Sequence, residues 1–232
     1  MSSLPEPELR YPPARSRATR STIRPSRGAS RVTIIAGSPP REIRLESDLE
    51  AKAALKYLAD RDVVDVWEQP PPVAFRDASG QLRHHTFDFK LTLRSGERWL
   101  VEVKPWRRAE AMNLRARLRL IASQTSREIA DRIVLVTEKV LDRDSVHNAA
   151  LIHAMARRRD PEADAHVAAW MADRLGTVTI ADLVTGTGLG GRGFCACIRL
   201  IADGTLVSTR SQRLDYSATV ARAGAASGGI AA

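Results

Sequence analysis

A turn signal at Ser95-Gly96 lies between two stretches with the alternating pattern of β-strands, and no other feature constrains the fold as strongly. The first strand is predicted over residues 82–93 and the second over residues 98–103, where Pro105 ends it. A tight turn forces antiparallel pairing, so the centres of the two strands become neighbours. Any fold of this chain must therefore contain this hairpin.

Further helices and strands are predicted on both sides of the hairpin. Before it, Ser47 can cap an amphipathic helix, and strands follow over residues 63–67 and 73–75, separated by three prolines. After it, a helix over residues 108–127 leads to a continuous apolar strand over residues 133–136. The order α-β-β-β-α-β predicts an α/β protein of the α+β type, with helices against a mixed sheet.

Composition divides the chain into four parts. Residues 1–32 contain seven Arg and two acidic residues and are rich in Pro and Ser, so we expect a disordered basic tail that attracts phosphate. Residues 33–140 form the predicted core domain, and residues 141–223 form a second, smaller one. Residues 224–232 are a Gly- and Ala-rich tail, expected to be flexible.

The second domain is predicted to be helical and similar to a winged helix. Helices are expected over residues 163–175, 180–184 and 194–201, followed by a hairpin of residues 206–207 with residues near 214–220. Its target is DNA or a partner protein, and its nearly balanced charge favours a protein.

Several classes of protein are disfavoured. No apolar run approaches the roughly 18 residues of a membrane span, and the polar N-terminus does not resemble a secretory signal. Cys195 and Cys197 are too close in sequence for a disulfide framework and lack further ligands for a metal. We therefore expect a soluble, cytoplasmic protein without a membrane partner.

Three charged residues on the hairpin form a candidate catalytic site. Glu102 and Lys104 point to one face of their strand because side chains alternate, whereas Val101 and Val103 point into packing. The hairpin brings Asp88 into the neighbourhood of Glu102. Two carboxylates on adjacent strands can hold a hard cation, Mg²⁺ or Mn²⁺.

This arrangement suits hydrolysis of a phosphodiester, since a metal polarises phosphoryl oxygen and lowers the pKa of bound water. Asp88 and Glu102 are the predicted metal ligands, and Lys104 is predicted to position water and phosphate. Glu50, from the preceding helix, is predicted to hold a metal-bound water or a second ion. The alternative is that these are solvated polar positions, because Glu-x-Lys alone is weak evidence.

Four motifs together resemble the TnsA family, the endonuclease subunits of heteromeric transposases. The motifs are Ser47-Asp48-Leu49-Glu50, Trp67-Glu68-Gln69-Pro70, Phe87-Asp88-Phe89 and Val101-Glu102-Val103-Lys104-Pro105. The similarity covers roughly residues 45–155 and includes Val136-Thr137-Glu138 and His147-Asn148. It departs from the wider superfamily at Phe87, where many members have Pro, and at Glu102, where some have Gln.

The resemblance implies a restriction-endonuclease-like nuclease domain with Glu50, Asp88, Glu102 and Lys104 as its catalytic set. Glu46 competes with Glu50 for the helical position. The implied activity is magnesium-dependent nicking at the 5′ ends of a mobile element, with an integrase-type transposase and an ATPase regulator as partners.

Contacts with DNA are predicted for six polar or basic residues around this set: Gln69, His85, Arg107, Arg108, Arg115 and Arg119. Two other functions remain open. One is a nuclease of the same fold in restriction, repair or phage defence, and the other is a DNA-binding adaptor without catalysis.

Overall fold

A computed structural model describes residues 12–19 and 30–224. Its first elements are an antiparallel hairpin of β1 (Val32–Ala36) and β2 (Arg41–Leu45), which the sequence did not predict. Helix α1 (Asp48–Ala59) follows, with Ser47 as its N-cap. Ile34, Ile43 and Leu45 are buried in the same cluster as Ala53 and Ala54 of α1, so the hairpin and the helix share a core.

A four-stranded mixed sheet lies at the centre of the molecule, with the order β3-β6-β7-β8. These strands are β3 (Val63–Glu68), β6 (Phe89–Leu93), β7 (Arg98–Val103) and β8 (Arg132–Val136). The first three pair antiparallel, and β8 pairs parallel to β7. The chain is thus a mixed α/β protein, and its hairpin across Ser95-Gly96 forms as predicted.

The predicted strand over residues 82–93 is wrong as one element. It divides into β5 (Leu82–His85), which pairs with β4 (Val73–Arg76), and β6 in the central sheet. Phe87 and Phe89 would share a face in a continuous strand. They are instead fully buried in two different apolar clusters, so the chain must turn between them.

The two faces of the central sheet are covered by different helices. Val101 and Val103 pack with α1 on one face, as predicted. Leu100 packs on the other face against α2 (Trp106–Ala111) and α3 (Leu114–Ala122). These two short helices replace the single predicted helix, because Asn113 adopts a left-handed conformation with φ of 46° between them.

A third apolar cluster forms beyond a 3-10 turn at Glu138–Val140. The elements are α4 (Arg143–Ala156), α5 (Pro161–Ala172), β9 (Val178–Thr179), α6 (Ile180–Thr187), α7 (Gly191–Asp203), β10 (Leu206–Ser208) and β11 (Thr219–Arg222). The last strands form a sheet in the order β10-β11-β9. The predicted helices and hairpin are present, and α4 contacts both α1 and α7.

The expectation of a disordered tail fails for residues 12–19. Ala14 bridges to Arg41, and the backbone N–H of Thr19 donates to the carbonyl of Gln69 at 3.0 Å. Residues 1–11, 20–29 and the predicted flexible residues 225–232 lie outside the described residues. Every described helix is too short or too polar to traverse a lipid bilayer.

Candidate active site

Asp88 occupies the corner between β5 and β6, where three hydrogen bonds with backbone groups fix its position. Its N–H donates to the Val101 carbonyl at 3.0 Å, and its own carbonyl accepts from the N–H of Gln69 at 2.8 Å. Its Oδ2 accepts from the N–H of Val103 at 2.6 Å. The carboxylate is therefore anchored directly beside the strand that carries Glu102.

Glu102 lies on β7 with only 4% of its surface exposed. Its Oε2 is 3.0 Å from Nε2 of His85, and its Oε1 is 3.4 Å from Nζ of Lys104. The His85 ring packs edge-on against Phe87, with the ring centroids 4.6 Å apart. Glu102 is thus held between the imidazole of His85 and the amine of Lys104. Lys104 is two residues further along the chain and lies on the same side of the strand, as predicted.

Glu50 forms hydrogen bonds that cap the start of α1. Its N–H donates to Oγ of Ser47 at 3.2 Å, while its Oε1 accepts from that hydroxyl at 2.8 Å. Its Oε2 accepts from the backbone N–H of Glu46 at 2.8 Å. Ser47-x-x-Glu50 is the sequence signal of a capping box, and here the Glu50 carboxylate reaches the N–H of Glu46 and the Ser47 hydroxyl in place of the Ser47 N–H. Glu46 precedes the helix, which leaves Glu50 as its helical acid nearest to Lys104.

Electrostatic coupling shows that the four predicted groups share one neighbourhood. Burial, and then repulsion by Glu102 and Glu50, raises the pKa of Asp88 to about 8, although Lys104 opposes the shift. Burial also raises the pKa of Glu50, against its hydrogen bonds and the charge of Lys104. The carboxylates of Asp88, Glu102 and Glu50 lie near a single amine, that of Lys104. A divalent cation would balance the excess negative charge.

The carboxylates of Asp88, Glu102 and Glu50 are ligands of the type that a hard cation prefers, but they do not form a complete coordination site. Within residues 12–19 and 30–224, no three His, Cys, Asp or Glu side chains stand close enough to hold a metal ion. Both oxygens of Glu50 accept hydrogen bonds at the start of α1, and both oxygens of Glu102 also have partners. Asp88 and Glu102 are the two carboxylates on neighbouring segments that could hold an ion, with Glu50 in electrostatic range.

The residues predicted to contact DNA fall into separate places. Gln69 is buried with φ of 42°, and its Oε1 has no hydrogen-bond partner among the described residues. Arg107 and Arg108 are exposed on α2, directly after Lys104-Pro105. Arg115 and Arg119 instead line a groove between α3 and β8.

The side chain of His85 is only 11% exposed and contacts Glu102, so it supports a carboxylate. Its contact with DNA stays a prediction. Sequence reasoning missed the contact with Glu102 because β5 belongs to a separate hairpin. It also missed that Trp106 lies under two cations, with Nζ of Lys139 at 3.3 Å and the guanidinium of Arg115 at 5.2 Å from the ring centroid.

Comparison with known proteins adds no family to this description. No family model matches the sequence, and no curated protein matches it.

Asp88→Asn is expected to stabilise the chain at pH values above about 8 and to change little near pH 4. The folded state holds the proton of Asp88 more tightly than the unfolded chain does. The wild type therefore loses stability progressively as pH rises from 3.8, the ordinary pKa of an aspartate, to the folded pKa of about 8, and the loss is complete above it, whereas the amide cannot ionise. Thermal unfolding across this pH range in EDTA measures the effect, with the exposed Asp62→Asn as control. A difference in melting temperature that is independent of pH would contradict it.

Proposed function

We propose that this chain is a metal-dependent DNA endonuclease that resembles TnsA and cleaves phosphodiester bonds at the ends of a mobile element. The observation that carries the proposal is the convergence of Asp88, Glu102 and Lys104, with Glu50 in electrostatic range. The order of α1, β3, β6, β7 and β8, with β8 parallel to β7, supports a restriction-endonuclease-like core. Substrate and partners follow from the sequence resemblance.

In the proposed mechanism, Asp88 and Glu102 would hold a Mg²⁺ or Mn²⁺ ion, with Glu50 as an outer or second-ion ligand. Such an ion would supply Lewis acidity and lower the pKa of water at the site. Lys104 would orient the attacking water and offset charge on the phosphate. His85 keeps Glu102 in position, as residues behind metal ligands commonly do.

DNA approaches, in this proposal, along the exposed α2, where Arg107 and Arg108 contact backbone phosphates. The unpartnered Oε1 of Gln69 is a further candidate for a contact in the site, since a buried acceptor without a partner is costly. Trp106 and Lys139 flank the same approach.

The C-terminal unit is proposed to have a winged-helix-like arrangement that binds a partner protein. Helix α7 occupies the position of a recognition helix but is largely buried. Its two arginines are already paired, Arg192 with Asp160 and Arg199 with Asp164. A helix without free cations is poorly suited to a DNA groove, which favours a transposase subunit or an ATPase regulator as the partner.

Metal binding by the isolated chain tests the proposal without requiring partners. We expect Mn²⁺ titration to show binding that Glu102→Gln weakens by roughly 10- to 100-fold. Glu97→Gln, at the other end of the same hairpin, is the matched control and should bind normally. With element-end DNA, Mg²⁺ and the partner subunits, the wild type should cleave and Glu102→Gln should not.

The absence of metal binding would favour the second candidate, a DNA-binding adaptor. One observation supports that candidate, namely that no three His, Cys, Asp or Glu side chains among the described residues are arranged to hold a metal ion. If Glu97→Gln weakened Mn²⁺ binding as much as Glu102→Gln, the ion would be bound non-specifically and the proposed site would be refuted.

A further inference from the structure

Strand β8 forms an open edge of the central sheet. The N–H of Lys104 donates to the carbonyl of Val136 at 3.0 Å, so Val136 and Val134 face β7. Backbone groups alternate along a strand, and those of Ile133 and Leu135 therefore point away from the sheet. Neither residue's N–H or carbonyl has a hydrogen-bond partner within the described part of the chain.

The opposite edge of the sheet is covered. Beside β3, the N–H of Thr19 donates to the carbonyl of Gln69, and the guanidinium groups of Arg17 and Arg41 donate to the carbonyl of Val66. Natural sheets usually protect edges with charges, bulges or covering segments. Only Arg132, at the start of β8, interrupts its apolar sequence. Among the described residues, one edge of the sheet is thus covered, and the other is free and apolar.

A groove of about 350 Å³ runs along the open edge, between β8 and α3. Its apolar walls come from Leu118 and Ala122 of the helix and from the strand itself, and Arg115 and Arg119 lie at its rim. The described residues provide no acidic partner for either arginine. A free strand edge, an apolar floor and unpaired cations therefore occur together.

We propose that this groove accepts an extended, acidic segment of a partner protein, which adds to β8 as a fifth strand. Alternating donors and acceptors at Ile133 and Leu135 match another peptide backbone, whereas a phosphate backbone offers acceptors alone. A second copy of this chain, paired through β8, is disfavoured because β8 (Arg132–Val136) contains no acidic residue that could pair with Arg115 and Arg119. Apolar side chains of the segment fill the floor, and its carboxylates pair with the rim.

Amide hydrogen exchange, measured by NMR on the full chain, tests the proposal. In the free protein, the amides of Ile133 and Leu135 should exchange much faster than that of Val134, which faces β7. A capped peptide that alternates valine with glutamate should slow exchange at Ile133 and Leu135 by about tenfold or more when present at about 1 mM. The same peptide with N-methylated backbone amides should have no effect.

A charge-reversal variant distinguishes the proposed contact from non-specific binding. Arg119→Glu should weaken binding of the glutamate peptide about tenfold or more and create binding of a lysine-valine peptide. Arg117→Glu is the matched control, because Arg117 is on the same helix but lies over the Phe75 ring, and it should retain binding. This test does not depend on the nuclease proposal.

Three results would overturn the inference. Unchanged exchange of both amides at about 1 mM peptide would mean that the edge does not accept a strand. Protection in the free protein that grows with protein concentration would identify a second copy as the occupant. Binding of a DNA duplex that Arg119→Glu abolishes, without any peptide effect, would assign the groove to nucleic acid.

Discussion

Lys104→Ala is expected to lower the rate of metal-dependent DNA cleavage by about 10²- to 10³-fold while leaving the fold intact. The Nζ of Lys104 lies 3.4 Å from Oε1 of Glu102 and is the cation nearest to the carboxylates of the proposed site. Its side chain is 30% exposed and fills no core position, so its loss creates no large cavity. The loss should therefore appear in catalysis and not in thermal stability.

The size of the effect follows from the task assigned to the amine. A group aimed at charge that develops in the transition state contributes more to the rate than to ground-state binding. We expect kcat to fall with little change in the affinity for DNA. Lys104→Arg should also be impaired, because a planar guanidinium cannot occupy the position of a compact ammonium group beside Glu102.

Single-turnover cleavage of element-end DNA, with Mg²⁺ and the partner subunits present, provides the measurement. The control is Lys56→Ala, since Lys56 is only partly buried on α1 and donates to the Val140 carbonyl away from the site. Cleavage by Lys104→Ala within about tenfold of the wild type would remove Lys104 from the catalytic set. Equal losses in both variants would point to an effect on DNA attraction, because each removes one positive charge.

The candidate site could be predicted from the sequence because its geometry depends on local rules. Alternation along a strand places Glu102 and Lys104 on one face, and a tight turn places the neighbouring strand beside them. The buried Val101 and Val103 follow from the same rule. Local reasoning failed at Thr86 to Asp88, where the chain leaves one hairpin for another sheet. That corner depends on the pairing partners of β5 and β6, which the residues of the segment do not specify.

The N-terminal segment was missed for a similar reason. Its Pro, Ser and Arg composition has no apolar pattern, and the expectation of disorder follows from that. Residues 12–19 are held instead by polar contacts with residues about fifty positions later. Two of these contacts are to Glu68, which is fully buried at the end of β3. Its neighbour Gln69 donates to the carbonyl of Asp88, so the segment also supports the corner that carries the proposed ligand.

Arg41→Met is therefore expected to destabilise the chain by about 3–5 kcal/mol. For a chain of this size, that corresponds to a fall in melting temperature of roughly 6–20 °C. The Oε2 of Glu68 accepts from Nη1 of Arg41 at 2.8 Å, and its Oε1 accepts from Oγ of Ser16 and the N–H of Arg17. Methionine keeps much of the packing volume but leaves a buried carboxylate without its counter-charge.

A matched variant on the same strand isolates the contribution of burial. Arg44→Met also breaks an ion pair of β2, that with Glu42 at 2.7 Å, but the side chain of Arg44 is 51% exposed. We expect that loss to stay below about 1 kcal/mol, because water replaces an exposed pair at little cost. Equal losses in the two variants would mean that Glu68 gains no more from its arginine than a surface carboxylate does.

The double variant Arg41→Met with Glu68→Gln separates a buried charge from lost packing. A neutral amide oxygen can still accept from Ser16 and Arg17 but needs no counter-charge, so at least about half of the lost stability should return. Denaturant unfolding of the wild type, of Arg41→Met, of Glu68→Gln and of the double variant gives the coupling energy between Arg41 and Glu68 directly. If the double variant were as unstable as the sum of the single variants, the guanidinium would stabilise the strand through its contact with the Val66 carbonyl and not through Glu68. The N-terminal segment would then lie over Glu68 without depending on its charge, and its support of the Asp88 corner would rest on the hydrogen bonds from the N–H and hydroxyl of Thr19 to the Gln69 carbonyl.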